Sequence, residues 1–328
     1  MPDQPSIRTL KEGDAFQGFL LAQEAAYKTS TKGSEYLELK LSDASGELKA
    51  FLWDVRAVEG DLEAIQADAF LWVKGTVTNY NGRQQMKLDK VRFATDGEVG
   101  DLSAFFPVSQ RPVPEMLAEL DAIIASVRDP WIQGLLKALF LENETLRAAF
   151  AQAPAAKSMH HAFLGGLLEH TLSVLAMGER ACGHYAALNR DLVIAGICLH
   201  DVGKTAELTY QRSLGYSDEG NLLGHIAMEA GWIDREMGKI PMFPEDLRLH
   251  ILHIVLSHHG RLDFGSPVVP KTPEALLVHY LDDLDGKLEA MFRSIADEAG
   301  SASWSSYNRN LDRLIFRRRW PASGPVQN

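Results

Sequence analysis

The hydrophobic period of this chain changes once, and that change limits what it can fold into. Up to residue 95 the apolar residues favour every second position. Tyr36-Leu37-Glu38-Leu39-Lys40-Leu41 alternates as a half-buried strand must, because successive strand side chains point to opposite faces. Residues 15–22 (AFQGFLLA) and 70–77 (FLWVKGTV) are strand-like apolar runs. Asp43-Ala44-Ser45-Gly46 is a turn leading into a strand at 47–53, and Asn81-Gly82 is a hairpin signal ahead of a last strand at 84–93. Residues 55–66 read as a short helix. From Pro114 the period becomes helical. Leu117, Leu120, Ile124 and Val127 share one stripe, and Ile132, Leu135, Leu136 and Leu139 repeat it. The stretch 96–114 between the two regimes is punctuated by Gly and Pro and reads as a linker.

Five strands with a helix between the third and fourth is the order of an OB-fold, a small barrel that commonly presents a face to single-stranded nucleic acid. The expected architecture is multidomain, α and β. It has an N-terminal five-stranded OB-fold β-barrel (1–95), the linker (96–114), an all-α domain (115–300) and a C-terminal tail (301–328). On the barrel, Tyr36, Trp53 and Tyr80, with Tyr27, are candidates for stacking on bases, although most strand aromatics belong to cores. The tail interleaves Trp304, Tyr307, Phe316 and Trp320 with Arg309, Arg313, Arg317, Arg318 and Arg319. Arg with aromatics suits phosphates and stacked bases, which makes Arg313 and Arg317 nucleic-acid candidates. A capping helix with solvated charges is the plain alternative.

The formal net charge of −11 argues against a nucleic-acid binder that works by overall positive charge, but leaves room for local basic patches. Carboxylates that bind cations also inflate that formal charge. No apolar run approaches the ~18–20 residues that span a bilayer, and MPDQPSIRTLKEGD lacks the apolar core of a secretory signal. Cys182 and Cys198 form no CxxC pair and are expected to be reduced core residues of a cytoplasmic protein.

All eleven histidines lie between His160 and His279. Imidazole is the commonest metal ligand, so the candidate chemistry is localised there. Residues 192–199 (LVIAGICL) read as a buried helix that ends on His200-Asp201. A buried, unpaired carboxylate is expensive, and a coordinated cation removes that cost. Gly203 permits a sharp exit, and Lys204 can offset the carboxylate or bind a phosphate oxygen. A second apolar helix, 247–256, runs into His258-His259. With His170, His225 and Asp282, the candidate ligands exceed the three or four of one catalytic zinc, which suggests two ions. Nitrogen and carboxylate donors without Cys suit Mn, Fe, Co, Ni or Zn better than Ca or Mg. Gly165-Gly166 reads as a close packing point or a helix start. No phosphate-binding Gly-rich loop, nucleophile elbow or HExxH occurs.

His170, then His200-Asp201, then Asp282 looks like the H…HD…D signature of the HD phosphohydrolases. The flanking text KSMHHAFLGGLLEHT, LNRDLVIAGICLHDVGK, EGNLLGHI, LSHHG and LDDLDGKLE, behind an OB-like domain, resembles the YhaM-type 3′→5′ exoribonucleases over roughly residues 8–320. The resemblance implies an all-α HD domain that removes nucleotides from a 3′ end of single-stranded RNA, or DNA, as 5′-monophosphates. It implies two divalent ions, manganese foremost, with Fe, Co, Ni, Zn or Mg as alternatives. His170, His200, Asp201 and Asp282 would hold the first ion. His225, His258 and His259 would hold the second, with Asp201 bridging. Lys204 would contact phosphate and His161, beside His160, the scissile phosphate. Asp283 and Asp285 compete with Asp282, while His184, His250, His253 and His279 match no signature position. An HD hydrolase of small or cyclic nucleotides, and a binding module with an inactive HD centre, are the rival readings. No membrane partner is expected, and a homo-oligomer is left open.

Overall fold

The computed structural model describes residues 4–31, 33–59, 65, 67, 69–95, 97–99, 102–156, 161–209, 215–297, 303–308 and 311–318. The chain divides into two compact units. One comprises residues 1–110 with 208–217, the other 111–207 with 218–328.

The first unit is a closed barrel. Strand β1 (Ala15–Thr29) pairs antiparallel with β2 (Glu35–Asp43), and β2 with β3 (Gly46–Leu52). After the two-residue β4 (Val58–Glu59), strands β5 (Ala69–Tyr80) and β6 (Arg83–Phe93) form a hairpin across Asn81-Gly82. The first half of β1 pairs with β5 and its second half with β2, and a register shift between Ala22 and Glu24 marks the change of partner. Parallel pairing of β3 with β6 closes the ring. The order 1-2-3-6-5-1 is OB-fold topology. The period-two residues fill the interior: Leu37, Leu39 and Leu41 from β2, Leu48, Ala50 and Leu52 from β3, Leu71 and Val73 from β5, and Met86, Leu88 and Val91 from β6 are buried together.

The helix expected at 55–66 is not what its described part forms. Val55–Ala57 is a 3₁₀ turn capped by the Asp54 carboxylate, which accepts from Arg56 N at 3.2 Å. Val58–Glu59 then pairs in parallel with Val91 and Arg92 of β6. β-Branched Val58 fits a pleated edge better than a helix. Residues 60–64 and 66 lie outside the described residues. Two further short strands, β7 (Leu208–Thr209) and β8 (Gly215–Tyr216), pair with one another.

The second unit is helical. Its elements are α1 (Val113–Ala125), α2 (Pro130–Phe140), α3 (Glu144–Gln152), α4 (Gly166–His184), α5 (Arg190–Leu199), α6 (Lys204–Glu207), α7 (Asp218–Met237), α8 (Glu245–Ser257) and α9 (Pro273–Asp297). The α2 stripe Ile132, Leu135, Leu136 and Leu139 is buried as its spacing predicts. In α1 the buried set is Met116, Leu120 and Ile124, with Leu117 only half-buried. Helix α5 is buried along the whole of 192–199, so it is the centre of the unit. Gly165 is the left-handed N-cap of α4. Cys198 is buried and Cys182 half-buried, both as free thiols.

The tail forms no helix in its described part. Antiparallel bridges join Trp304 to Phe316 and Asn308 to Arg313, and Leu311 and Ile315 pack on Ala290, Met291 and Ile295 of α9. Among the described residues no helix is long and apolar enough to cross a membrane.

Candidate metal centre

The centre begins at the ends of two buried helices. His200 caps α5 and His258 caps α8. Each ring turns back on its own helix and donates Nδ1–H to the carbonyl three residues earlier, His200 to Ile197 at 2.7 Å and His258 to Val255 at 2.7 Å. A carbonyl only accepts, so the proton sits on Nδ1 and Nε2 presents a lone pair. The negative ends of both helix dipoles face the same place, which favours a cation there.

Three more imidazoles are set by the same logic. His259 Nδ1 donates to the Phe264 carbonyl at 2.8 Å, and His170 Nδ1, from α4, to Asp285 Oδ2 at 2.8 Å. His225 depends on a break in α7. Gly224 sits at φ 72°, ψ 154°, a region that essentially only glycine adopts. The break brings both the backbone N and Nδ1 of His225 to 3.0 Å from Glu207 Oε1. All five rings therefore turn Nε2 inward with Nδ1 tied to a carbonyl or carboxylate, the arrangement that orients metal-binding histidines.

The inward atoms form two groups that share Asp201. In the first, Asp282 Oδ1 lies 3.2 Å from His170 Nε2 and 3.7 Å from His200 Nε2, and Asp201 Oδ2 lies 3.8 and 3.5 Å from the same two atoms. In the second, the other oxygen of Asp201 lies 3.6 Å from His225 Nε2 and 3.7 Å from His258 Nε2. His225, His258 and His259 can bring ligand atoms within 4.8 Å of one another, as can His170, His200, Asp201 and Asp282. Asp201 Oδ1, His225 Nε2 and His258 Nε2 are buried with no hydrogen-bond partner among the described residues. Three such orphans converging on one point carry a large desolvation cost, which a cation between them would cancel. The donor set therefore fits divalent ions.

The charges agree. Burial alone would raise the Asp201 carboxyl, but buried Lys204 and His200 beside it hold it well below the usual carboxylate range, with Lys204 Nζ at 2.6 Å. Burial would likewise raise Asp282, yet His170 and His200 hold it far down. Burial pushes His258 well below the usual imidazole range, and burial with His225 lowers His259, so both are neutral, as ligands must be. His170 differs: burial works against its charged form, but the Asp282 and Asp285 carboxylates outweigh it and hold this imidazole up at about 9, so an ion held at its Nε2 would displace a proton.

Residues 167–287 match the HD domain family. They form an HD domain. An HD domain with this His/Asp cluster supports a metal-dependent phosphohydrolase. Among solved structures, the second OB-fold domain of replication protein A from Methanococcus maripaludis is similar to this chain. It shows 15% identity over 28% of this chain and 96% of that one, with a TM-score of 0.23. A replication protein A heterotrimer bound to ssDNA shows 15% identity over 29% and 72%, TM-score 0.21. The aspartyl tRNA synthetase from Entamoeba histolytica shows 8% identity over 76% and 57%, TM-score 0.25.

The seven expected ligands of the HD domain thus lie in the two groups, and Lys204 adjoins Asp201. His161 stands behind them. Its Nε2 is 3.1 Å from Asp285 Oδ2, and its backbone is left-handed at φ 44°. His160 lies outside the described residues. Asp283 is at the surface, paired with Lys287 at 2.6 Å. Two residues of the HD domain, Glu207 and Glu229, escaped the sequence reading, which weighed Asp285 only as a rival to Asp282 and matched His279 to no signature position. Asp285 accepts from His161, His170 and Ser173, and Glu207 holds His225. His279 donates to the His258 carbonyl at 2.8 Å. Glu229 is fully buried and accepts Gly203 N–H at 2.9 Å, and burial raises its carboxyl well above the usual range. Glu229 follows His225 by one helical turn, and that spacing was the available signal.

On the barrel, Tyr36 and Trp53 stack with centroids 4.7 Å apart, and Phe51, unforeseen, joins Trp53 at 5.9 Å. Trp53 is 52% exposed. Register places Lys49 and Lys87 on the same face. Tyr80 stands apart beside the β5–β6 turn. Arg313 and Arg317 lie on one segment of the tail, opposite 303–308, with Arg313 bridged to Asn308 and Arg317 N donating to Ser303 O.

Proposed function

We propose that this chain is a 3′→5′ exonuclease that shortens single-stranded RNA, or DNA, and releases nucleoside 5′-monophosphates. The observation that carries the reading is Asp201, which offers one oxygen to each of two groups of inward-facing imidazoles. His170, His200, Asp201 and Asp282 would hold one divalent ion and His225, His258 and His259, with Asp201, the other. Manganese is the ion that the resemblance to the YhaM-type exoribonucleases implies, and nitrogen and carboxylate donors without Cys suit Fe, Co, Ni or Zn as well. Bound there, two such ions would supply an activated water and charge neutralisation for an in-line phosphoryl displacement.

The chain's own residues do the rest. Lys204 places a buried ammonium beside Asp201, where it can take a phosphate oxygen. The helix ends of α5 and α8 fix the imidazoles before substrate arrives, so no reorganisation is needed during the reaction. The Tyr36–Phe51–Trp53 face offers stacked rings flanked by lysines, which suits a single strand.

The test is incubation of the full chain and Mn²⁺ with single strands labelled at the 5′ or the 3′ end. The expected result is stepwise shortening of the 5′-labelled strand and release of labelled mononucleotide from the 3′-labelled one. Internal fragments appearing first, or no shortening, would overturn it. Asp201→Ala should abolish turnover and leave oligonucleotide binding largely intact.

A further inference from the structure

The turn that follows His258-His259 is built more rigidly than a connection requires. Gly260 is left-handed at φ 76°, and the space its side chain would occupy is filled by the His279 ring. Residues Leu262–Phe264 then form a 3₁₀ turn in which Phe264 N donates to the Arg261 carbonyl at 3.1 Å and Gly265 N to the Leu262 carbonyl at 3.0 Å. Ser266 N returns to the Arg261 carbonyl at 3.2 Å. The Phe264 carbonyl accepts His259 Nδ1–H at 2.8 Å, so this turn sets the ring of an inward-facing imidazole.

The side chains on this rigid turn face water. Phe264 is 55% exposed and Leu262 is exposed beside it. The Arg261 guanidinium lies over the Phe264 ring, 5.7 Å from its centroid, and makes no ion pair among the described residues. In the same group, Leu222 (82% exposed) and exposed Leu223 precede Gly224 and His225, whose ring is 5.2 Å from that of His259. A lone exposed apolar residue needs no explanation, but two pairs flanking one imidazole pair mark a binding surface. His259 is also only partly buried, whereas His170, His200 and His258 are fully enclosed, so solvent reaches the centre on this side.

We propose that Phe264, with Arg261, is a platform for the nucleobase adjoining the phosphate held at the HD centre. The base of a 5′-nucleotide lies one ribose away from its phosphate. The Phe264 carbonyl takes the Nδ1–H of His259, whose Nε2 faces the centre, so the residue that carries the ring adjoins that imidazole. The ring supplies a stacking face that every base can use, and Arg261 supplies a cation able to lie over an aromatic or meet a phosphate. The platform rests on the centre being a nucleotide phosphohydrolase, but not on the strand being its substrate.

The experiment is calorimetric titration of the full chain, loaded with Mn²⁺, with adenosine 5′-monophosphate and with ribose 5-phosphate. Wild-type protein should prefer the nucleotide about tenfold. Phe264→Ala should reduce that preference to within about twofold, with manganese stoichiometry unchanged, and Phe264→Trp should retain it. The stoichiometry matters because the carbonyl that sets His259 belongs to the backbone and survives the substitution. A wild-type chain that does not discriminate, or a Phe264→Ala chain that still does, overturns the platform. If strands are not shortened but the Phe264-dependent preference is present, the exonuclease reading falls and the platform stands. If strands are shortened and Phe264→Ala keeps the preference, the reverse holds.

Discussion

Asp285 does as much to arrange this centre as any residue that faces it. Its two oxygens take Ser173, His161 and His170, and its hold on His170 Nδ1 fixes which nitrogen looks inward. Asp285→Asn should weaken manganese affinity about 10–100-fold, as loss of such a partner does, read by metal titration of the apo chain. Glu229 plays a similar part for the Asp201–Lys204 turn. Glu229→Ala would strand the buried Gly203 N–H and cost about 1–3 kcal/mol, while Glu229→Gln keeps an acceptor and most of the stability. Denaturant unfolding of the two variants separates them. His200-Asp201 was legible in the sequence because both residues end an apolar run, where burial and charge conflict openly. Asp285 was not. It is 115 residues from His170, and at three residues from Asp282 it shares a helix face with it. Only the packing of α4 against α9 decides which carboxylate faces the centre and which stands behind a histidine.

At the scale of elements, the crossing of α5 and α8 sets the distance between His200 and His258. A side chain at Gly196 would meet Ile254 at 2.6 Å and Val278 at 3.2 Å. Gly196 is one turn before His200, and Ile254 one turn before His258. Gly196→Ala should overpack this crossing by about 1–3 kcal/mol and lower manganese occupancy as well, which thermal melts and metal analysis would show together. In the barrel, Arg92 of β6 clasps Glu98 with both guanidinium nitrogens, and Thr95 N also donates to Glu98 at 2.8 Å. Arg92 first, then Thr95, hold the Glu98 carboxyl down at about 2. The folded value is below the ordinary 4.5, so this clasp contributes fully above that value and is lost as pH falls through about 2. The Thr95 amide shift should titrate near 2 in wild type and move toward 4.5 in Arg92→Gln. Strands were easy to read because one buried face imposes period two. The segment at 55–66 misled because Val and Ala suit a helical stripe as readily as a 3₁₀ turn and a parallel edge, and only pairing with β6 distinguishes them.

At the scale of the molecule, the proposed function would divide two tasks between the two units. The barrel's exposed aromatic face and the HD domain's enclosed centre share no residue, so their defects should separate. Trp53→Ala in the full chain should weaken single-strand binding by about 1–3 kcal/mol, measured by fluorescence anisotropy. Asp201→Ala should leave that affinity in place. The division itself was readable from the change of hydrophobic period. The fate of the tail was not, because among the described residues Leu311 and Ile315 are what it buries against α9, and most of its apolar side chains stay in water. Within the HD domain the opposite economy holds, for α5 is at once the middle of the core and the mount for His200. Packing and chemistry there are selected together. A genetic screen for lost activity would recover Gly196, Ile254 and Val278 alongside the histidines, and a lineage that repacked this core would have to relearn its chemistry in the same steps.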